Sequence, residues 1–215
     1  MEKETFIAIV RRCRSWIHRL EEAASRIHAE VNQRYDETLP YGFHLRLTAA
    51  CVSRYGYEVA RTEADVLILY AAAYLHDTIE DARMSYNDVR RFLGAFNDVD
   101  FPADVDARRS FEEQVPEIVY ALTNEKGRNR AERASEAYYA GIRSTRFASF
   151  VKMCDRLANI RYSTMFVFAN RMLDVYREEY PAFIRAIHEG AVTPVPEAMR
   201  REAECLLHEE AYVVL

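Results

Sequence analysis

The sequence predicts an all-α protein, and three observations carry that reading. Apolar residues recur at three- and four-residue steps over long stretches, as one face of a helix requires. Helix-start signals, a Thr or Ser followed three residues later by an acid, precede Ala64 and Asn87. No segment reads as a strand. Proline, glycine and polar clusters divide the chain into roughly eight to ten helices.

Residues 4–34 read as one long amphipathic helix, with Phe6, Ile9, Cys13, Trp16, Ile17, Leu20, Ala24, Ile27 and Val31 on its apolar stripe. His18 and His28 lie on it without partners and are expected at the surface or the core edge. Residues 35–43 break the period, hold Pro40 and Gly42, and form a loop. His44 follows directly, at the mouth of a short helix over about 45–55 that stops at Gly56.

Thr62-Glu63-Ala64-Asp65 opens the next helix. Val66 to Leu75 is apolar on nearly all sides, so this helix is expected to be central and buried. It leads into Tyr74-Leu75-His76-Asp77-Thr78-Ile79-Glu80-Asp81, where a histidine and three carboxylates replace the apolar run. On a continued helix His76 would stack over Glu80 and Asp77 over Asp81, because residues four apart share a face. Ser85 starts another short helix that Gly94 ends, and one over about 105–122 is bent or restarted by Pro116.

Phe147 to Tyr162 reads as a helix with Asp155 and Asn159 one turn apart. Asp155 sits among Phe150, Val151, Cys154 and Leu157, and an acid in such company needs a partner or a metal. Residues 164–189 and about 196–211 complete the set. Ahead of Phe147, the stretch 126–146 carries Lys126, Arg128, Arg130, Arg133, Arg143 and Arg146 against Glu132 and Glu136. Such a stretch is either a solvated helix face or a field that attracts a polyphosphate.

A chain of 215 residues, half of them hydrophobic, fits a single domain spanning 1–215. A net charge of −5 and a pI near 5.8 argue against a dedicated nucleic-acid binder. Cys13, Cys51, Cys154 and Cys205 are scattered, which argues against a disulfide framework and for a reducing cytoplasm. The opening residues lack a signal-peptide pattern, and Val66–Leu75 is too short to span a bilayer, so no membrane partner is expected. An oligomer is compatible with this composition.

The chemical candidates form an ordered set of His44, His76-Asp77 and Asp155. Two imidazoles and two carboxylates can hold one divalent transition metal, a set that suits Mn, Fe, Co, Ni or Zn better than Mg. Such a metal lowers the pKa of bound water. Glu80 and Asp81 would stand beside it as an acid/base pair.

This order in an all-α chain resembles the HD-domain phosphohydrolases. Two strings narrow the resemblance: His76-Asp-Thr-Ile-Glu-Asp81, and Lys152-Met-Cys-Asp-Arg-Leu-Ala-Asn-Ile-Arg161. Both are similar to the hydrolase half of the RelA/SpoT family and its stand-alone small alarmone hydrolases, over roughly residues 20–190. The resemblance implies an HD-type helical bundle that removes the 3′-pyrophosphate of guanosine tetra- or pentaphosphate, usually with Mn(II). It implies His44, His76, Asp77 and Asp155 as metal ligands and Glu80 and Asp81 as acid/base and water-orienting groups. Asn159 and Arg34 would contact the nucleotide. The family's basic pair before the first histidine is here Arg34-Tyr35, and its Asn-His-Pro is here Phe43-His44-Leu45. Two alternatives stand beside this reading: an HD hydrolase of another nucleotide, such as a deoxynucleoside phosphate, and a silent nucleotide-binding module.

Overall fold

The computed structural model describes residues 1–123, 132, 134–165 and 170–208. Among them ten helices form an all-α bundle: α1 (Lys3–Arg12), α2 (Arg14–Glu30), α3 (Gly42–Val59), α4 (Glu63–Leu75), α5 (Tyr86–Asp100), α6 (Val105–Leu122), α7 (Glu136–Ser144), α8 (Ala148–Met165), α9 (Asn170–His188) and α10 (Glu197–His208).

The bundle is built around α4. Every residue from Asp65 to Leu75 is buried, and α1, α2, α3, α6 and α8 pack around it. A helix apolar on all sides gains from being enclosed, at about 1.5–3 kcal/mol for each fully buried aliphatic side chain. Its start matches the sequence reading: Thr62 Oγ1 accepts from Asp65 N at 3.2 Å, and Asp65 Oδ2 accepts from Thr62 N at 3.1 Å. Asp65 also meets Arg146 at 2.7 Å, which pins the start of α4 to the chain just before α8.

The end of α4 differs from the expectation. The helix stops at Leu75, and residues 76–81 run through turns. Side chains take the carbonyls that would have continued it: His76 Nδ1 faces Ala73 O at 2.9 Å and Thr78 Oγ1 donates to Leu75 O at 2.7 Å. Local side-chain bonds of this kind compete with the helical ladder. Two helix-like bonds survive, Asp81 N to Asp77 O at 2.8 Å and Ala82 N to Thr78 O at 3.2 Å, so Asp77 and Asp81 remain a turn apart.

The long N-terminal helix is interrupted at Cys13 (φ −88°, ψ 6°), giving α1 and α2. Cys13 N still reaches Ile9 O and Ile17 N reaches Cys13 O, so two helical bonds are kept at the break. The loop that follows contains two short antiparallel strands, β1 (Arg34–Tyr35) and β2 (Leu39–Pro40), pairing Arg34 with Pro40 and Tyr35 with Leu39. Neither Gly56 nor Gly94 ends its helix: α3 runs on to Val59 and α5 to Asp100. Among the described residues no helix is long and apolar enough to cross a membrane.

Candidate metal centre

Three separate stretches of chain meet at one point. His44 enters in the first turn of α3, His76 and Asp77 follow the last residue of α4, and Asp155 lies within α8. Ligand atoms of His44, His76 and Asp77 lie within 4.8 Å of one another, a buried group that can hold a metal ion. The two imidazole Nε2 atoms face each other at 3.3 Å. Asp77 Oδ2 stands 2.7 Å from His76 Nε2 and 3.7 Å from His44 Nε2. Asp155 Oδ1 stands 3.3 Å from His44 Nε2 and 3.9 Å from His76 Nε2. The histidines and Asp77 are the closest-set three, and Asp155 joins them through both rings.

The donor set fits a single divalent transition metal. Atoms sharing one ion at about 2.1 Å stand roughly 3.0–3.4 Å apart at right or tetrahedral angles, and the observed separations bracket that range. His76 has the support a ligating imidazole needs. Ala73 O can only accept, so Nδ1 carries a proton and Nε2 is directed at the cluster. His44 Nδ1 has no such partner among the described residues.

Electrostatics favour ionised carboxylates here. Burial opposes charge on Asp77, but His76 outweighs it and brings the carboxyl down to about 2. Burial likewise opposes charge on Asp155, yet Lys152, at 3.2 Å, and the two histidines hold it well below the usual range. His76 itself is raised to about 9, because Asp77 and Asp155 overcome its burial. Metal ligation needs ionised carboxylates, and a bound ion would take the place of that proton.

Asp81 is half-buried and behaves differently. Burial, with Asp77 and Glu80 nearby, raises its carboxyl to about 6. A group that titrates near neutrality suits proton transfer. The Tyr41 hydroxyl and Gln33 Nε2, at 3.1 and 3.2 Å, hold its Oδ2 in place. Glu80 is exposed and turns to a cavity of about 800 Å³ between α7, α8 and α9.

Asn159 and Arg34, each expected to contact the substrate, line different cavities. Asn159 lines the large cavity, but its amide is committed: Nδ2 donates to Asp155 Oδ1 at 2.7 Å and Oδ1 accepts from Tyr35 OH at 2.8 Å. It therefore holds Asp155 in position. Arg34 lines a smaller cavity of about 310 Å³ with Ser25, Tyr41 and Arg46. The basic segment resolves in part. Arg143 donates to Ala186 O and pairs with Glu136, and Arg146 ties to Asp65 and Gln114, so both are structural. Lys126, Arg128, Arg130 and Arg133 lie outside the described residues.

Sequence reasoning missed Tyr41, Gln33 and Tyr35, and it left Lys152 without a role. Tyr41 precedes His44 by three residues and Lys152 precedes Asp155 by three, the spacing of one helical turn. That spacing was the available signal. Comparison with family models, curated proteins and solved structures returns no match for this chain.

Proposed function

We propose that this chain is a metal-dependent phosphohydrolase of the HD type, acting on a nucleotide. The observation that supports it is the convergence of His44, His76, Asp77 and Asp155 from α3, the end of α4 and α8, with Asp81 beside them. A divalent cation held there would supply Lewis acidity and offset charge on a phosphoryl group. Asp81, titrating near neutrality, accepts a proton from the attacking water or returns one to the leaving oxygen. Tyr41 and Gln33 fix its orientation. Asn159 holds Asp155, and Glu80 borders the cavity from which a substrate would enter.

The finer proposal rests on the HDTIED and KMCDRLANIR strings: the substrate is guanosine tetra- or pentaphosphate, and the metal is Mn(II). Water would add to the phosphorus joined to the ribose 3′-oxygen and the P–O3′ bond would break. The proton would pass to O3′, giving GDP or GTP and pyrophosphate. Another nucleotide is the second reading. The observation that favours it is Tyr35, which stands where the family carries a basic residue, stacks on His44 at 5.0 Å and donates to Asn159.

The test is pyrophosphate release from guanosine tetraphosphate by metal-stripped protein with and without Mn(II). GTP and deoxynucleoside triphosphates run beside it, and Asp77→Ala is the control. Mn(II)-dependent release from the tetraphosphate is the expected outcome. Turnover confined to the other nucleotides would discard the alarmone and keep the chemistry, and no turnover of any of them would leave a nucleotide-binding module.

A further inference from the structure

A ligating imidazole is normally aimed by a hydrogen bond to its second nitrogen, and a ligating carboxylate by donors to its oxygens. Three of the four ligand candidates have such an outer partner. His76 Nδ1 faces Ala73 O at 2.9 Å, Asp77 Oδ2 accepts from Tyr41 OH, and Asp155 Oδ1 accepts from Asn159 Nδ2 at 2.7 Å. His44 is the exception, since its Nδ1 has no hydrogen-bond partner among the described residues. Rings hold it instead. Tyr35 lies nearly parallel to the imidazole, with centroids 5.0 Å apart and an angle of 18° between the planes. Tyr41 meets the same ring edge-on at 5.5 Å.

At its far end Tyr35 donates its hydroxyl to Asn159 Oδ1 at 2.8 Å, on the amide whose Nδ2 donates to Asp155. That bond fixes which way the amide faces, oxygen toward the phenol and nitrogen toward the carboxylate. One side chain therefore bears on His44 of α3 and, through Asn159, on Asp155 of α8. The hairpin in turn places Tyr35. The Tyr35 ring meets Tyr162 at 4.8 Å, and the next residue, Asp36, accepts from Tyr162 OH at 2.6 Å. Asn159 and Tyr162 are three residues apart on α8, so both anchors lie on one helix face. Between the strands Asp36 and Glu37 take left-handed φ values of 48° and 61°. Residues with side chains keep that conformation where their surroundings hold it.

We infer that Tyr35 is a positioning residue of the metal centre, setting the plane of His44 by stacking and the orientation of Asp155 through Asn159. This inference rests on the metal-site reading above and not on the identity of the nucleotide. Stacked rings restrain each other's planes. With its plane held, His44 keeps Nε2 at 3.3 Å from both His76 Nε2 and Asp155 Oδ1, where one ion can be shared. The stack thus stands in for the hydrogen bond that His76 has and His44 lacks.

The two routes are separable in Mn(II) affinity, measured calorimetrically on metal-stripped protein. Tyr35→Phe keeps the stack and cuts the route to Asn159, whereas Tyr35→Leu cuts both. Affinity should fall about tenfold in Tyr35→Phe and about a hundredfold in Tyr35→Leu. Combination with Asn159→Ala distinguishes positioning from a general loosening of the fold. In that background Tyr35→Phe should change affinity by less than about twofold, while Tyr35→Leu still lowers it about tenfold. The visible absorption of bound Co(II) reports its donor set, and its bands should shift in Tyr35→Leu. Wild-type Mn(II) affinity in both Tyr35 variants would overturn the positioning role and leave the metal centre intact. A Tyr35→Phe loss just as large with Asn159→Ala as without it would overturn the proposal too. A wild type that binds neither ion would overturn the metal reading and this inference together.

Discussion

Tyr41 donates its hydroxyl to Asp77 Oδ2 at 2.5 Å, and the same oxygen stands 3.1 Å from Asp81 Oδ2. One phenol therefore links a metal-ligand candidate to the acid/base candidate. The ring is held from behind, stacked on His28 at 4.4 Å and 20°. Burial and the two carboxylates raise the phenol well above its ordinary range, so it remains a donor. Outer partners that orient ligands are commonly worth roughly tenfold or more in metal affinity.

Tyr41→Phe keeps the stack and removes only the hydroxyl. Mn(II) affinity, measured calorimetrically, should fall about tenfold while the melting temperature changes little. Equal affinities in the two proteins would mean that Tyr41 does not support the centre.

Asp77 and Glu80 should separate binding from turnover. Asp77 Oδ2 faces both imidazoles, so Asp77→Ala should lose stoichiometric Mn(II). Glu80 lines the cavity and is not among the cluster's donor atoms, so Glu80→Gln should keep the metal and lose most turnover, on the order of a hundredfold. A Glu80→Gln protein with wild-type rates would take Glu80 out of the reaction.

What was legible in the sequence follows physical range. The capping box at Thr62 and the all-round apolar α4 are local properties, and both appear where the pattern puts them. The end of α4 departs from the expected continued helix because His76 and Thr78 turn their side chains back onto Ala73 and Leu75, a choice that helical periodicity does not encode. The meeting of His44 with Asp155 depends on how α3 packs on α8, yet the chemistry of the four residues named them as a set before any packing was known. Tyr35 and Gln33 act through contacts far along the chain, to Asn159 and Asp81, and nothing local to them signals it. Arg34 and Asn159 are each expected at the substrate, and the two line different cavities.

Gly56 illustrates a residue whose role is purely steric. A Cβ there would lie 2.7 Å from Phe6 Cζ and 2.9 Å from Cε2, and the Phe6 ring is buried. Alanine would ordinarily gain about 1 kcal/mol over glycine inside a helix, but overpacking costs about 1–3 kcal/mol. Gly56→Ala should therefore be neutral to destabilising in chemical unfolding, and Phe6→Leu should make the same substitution stabilising. A gain in stability from Gly56→Ala alone would show that α1 shifts freely.

His28 gives the test of buried electrostatics. It is fully buried, and neither ring nitrogen has a hydrogen-bond partner among the described residues, which corrects its expected place at the surface or core edge. Burial lowers its pKa to about 4; Asp77 opposes the shift, and His76 and His44 add to it. The unfolded chain takes up this proton near pH 6.5 and the folded chain only near 4, so stability is lost as pH falls through that window. The full effect is on the order of 3 kcal/mol. Asp81, raised to about 6, titrates in the opposite sense over the same range and masks it in the wild type. The difference between wild type and His28→Leu isolates the histidine. Urea unfolding at pH 7.0 and 4.5 should show the variant gaining on the wild type as pH falls, and a constant difference would mean that His28 takes up its proton in the folded protein as it does in the unfolded chain.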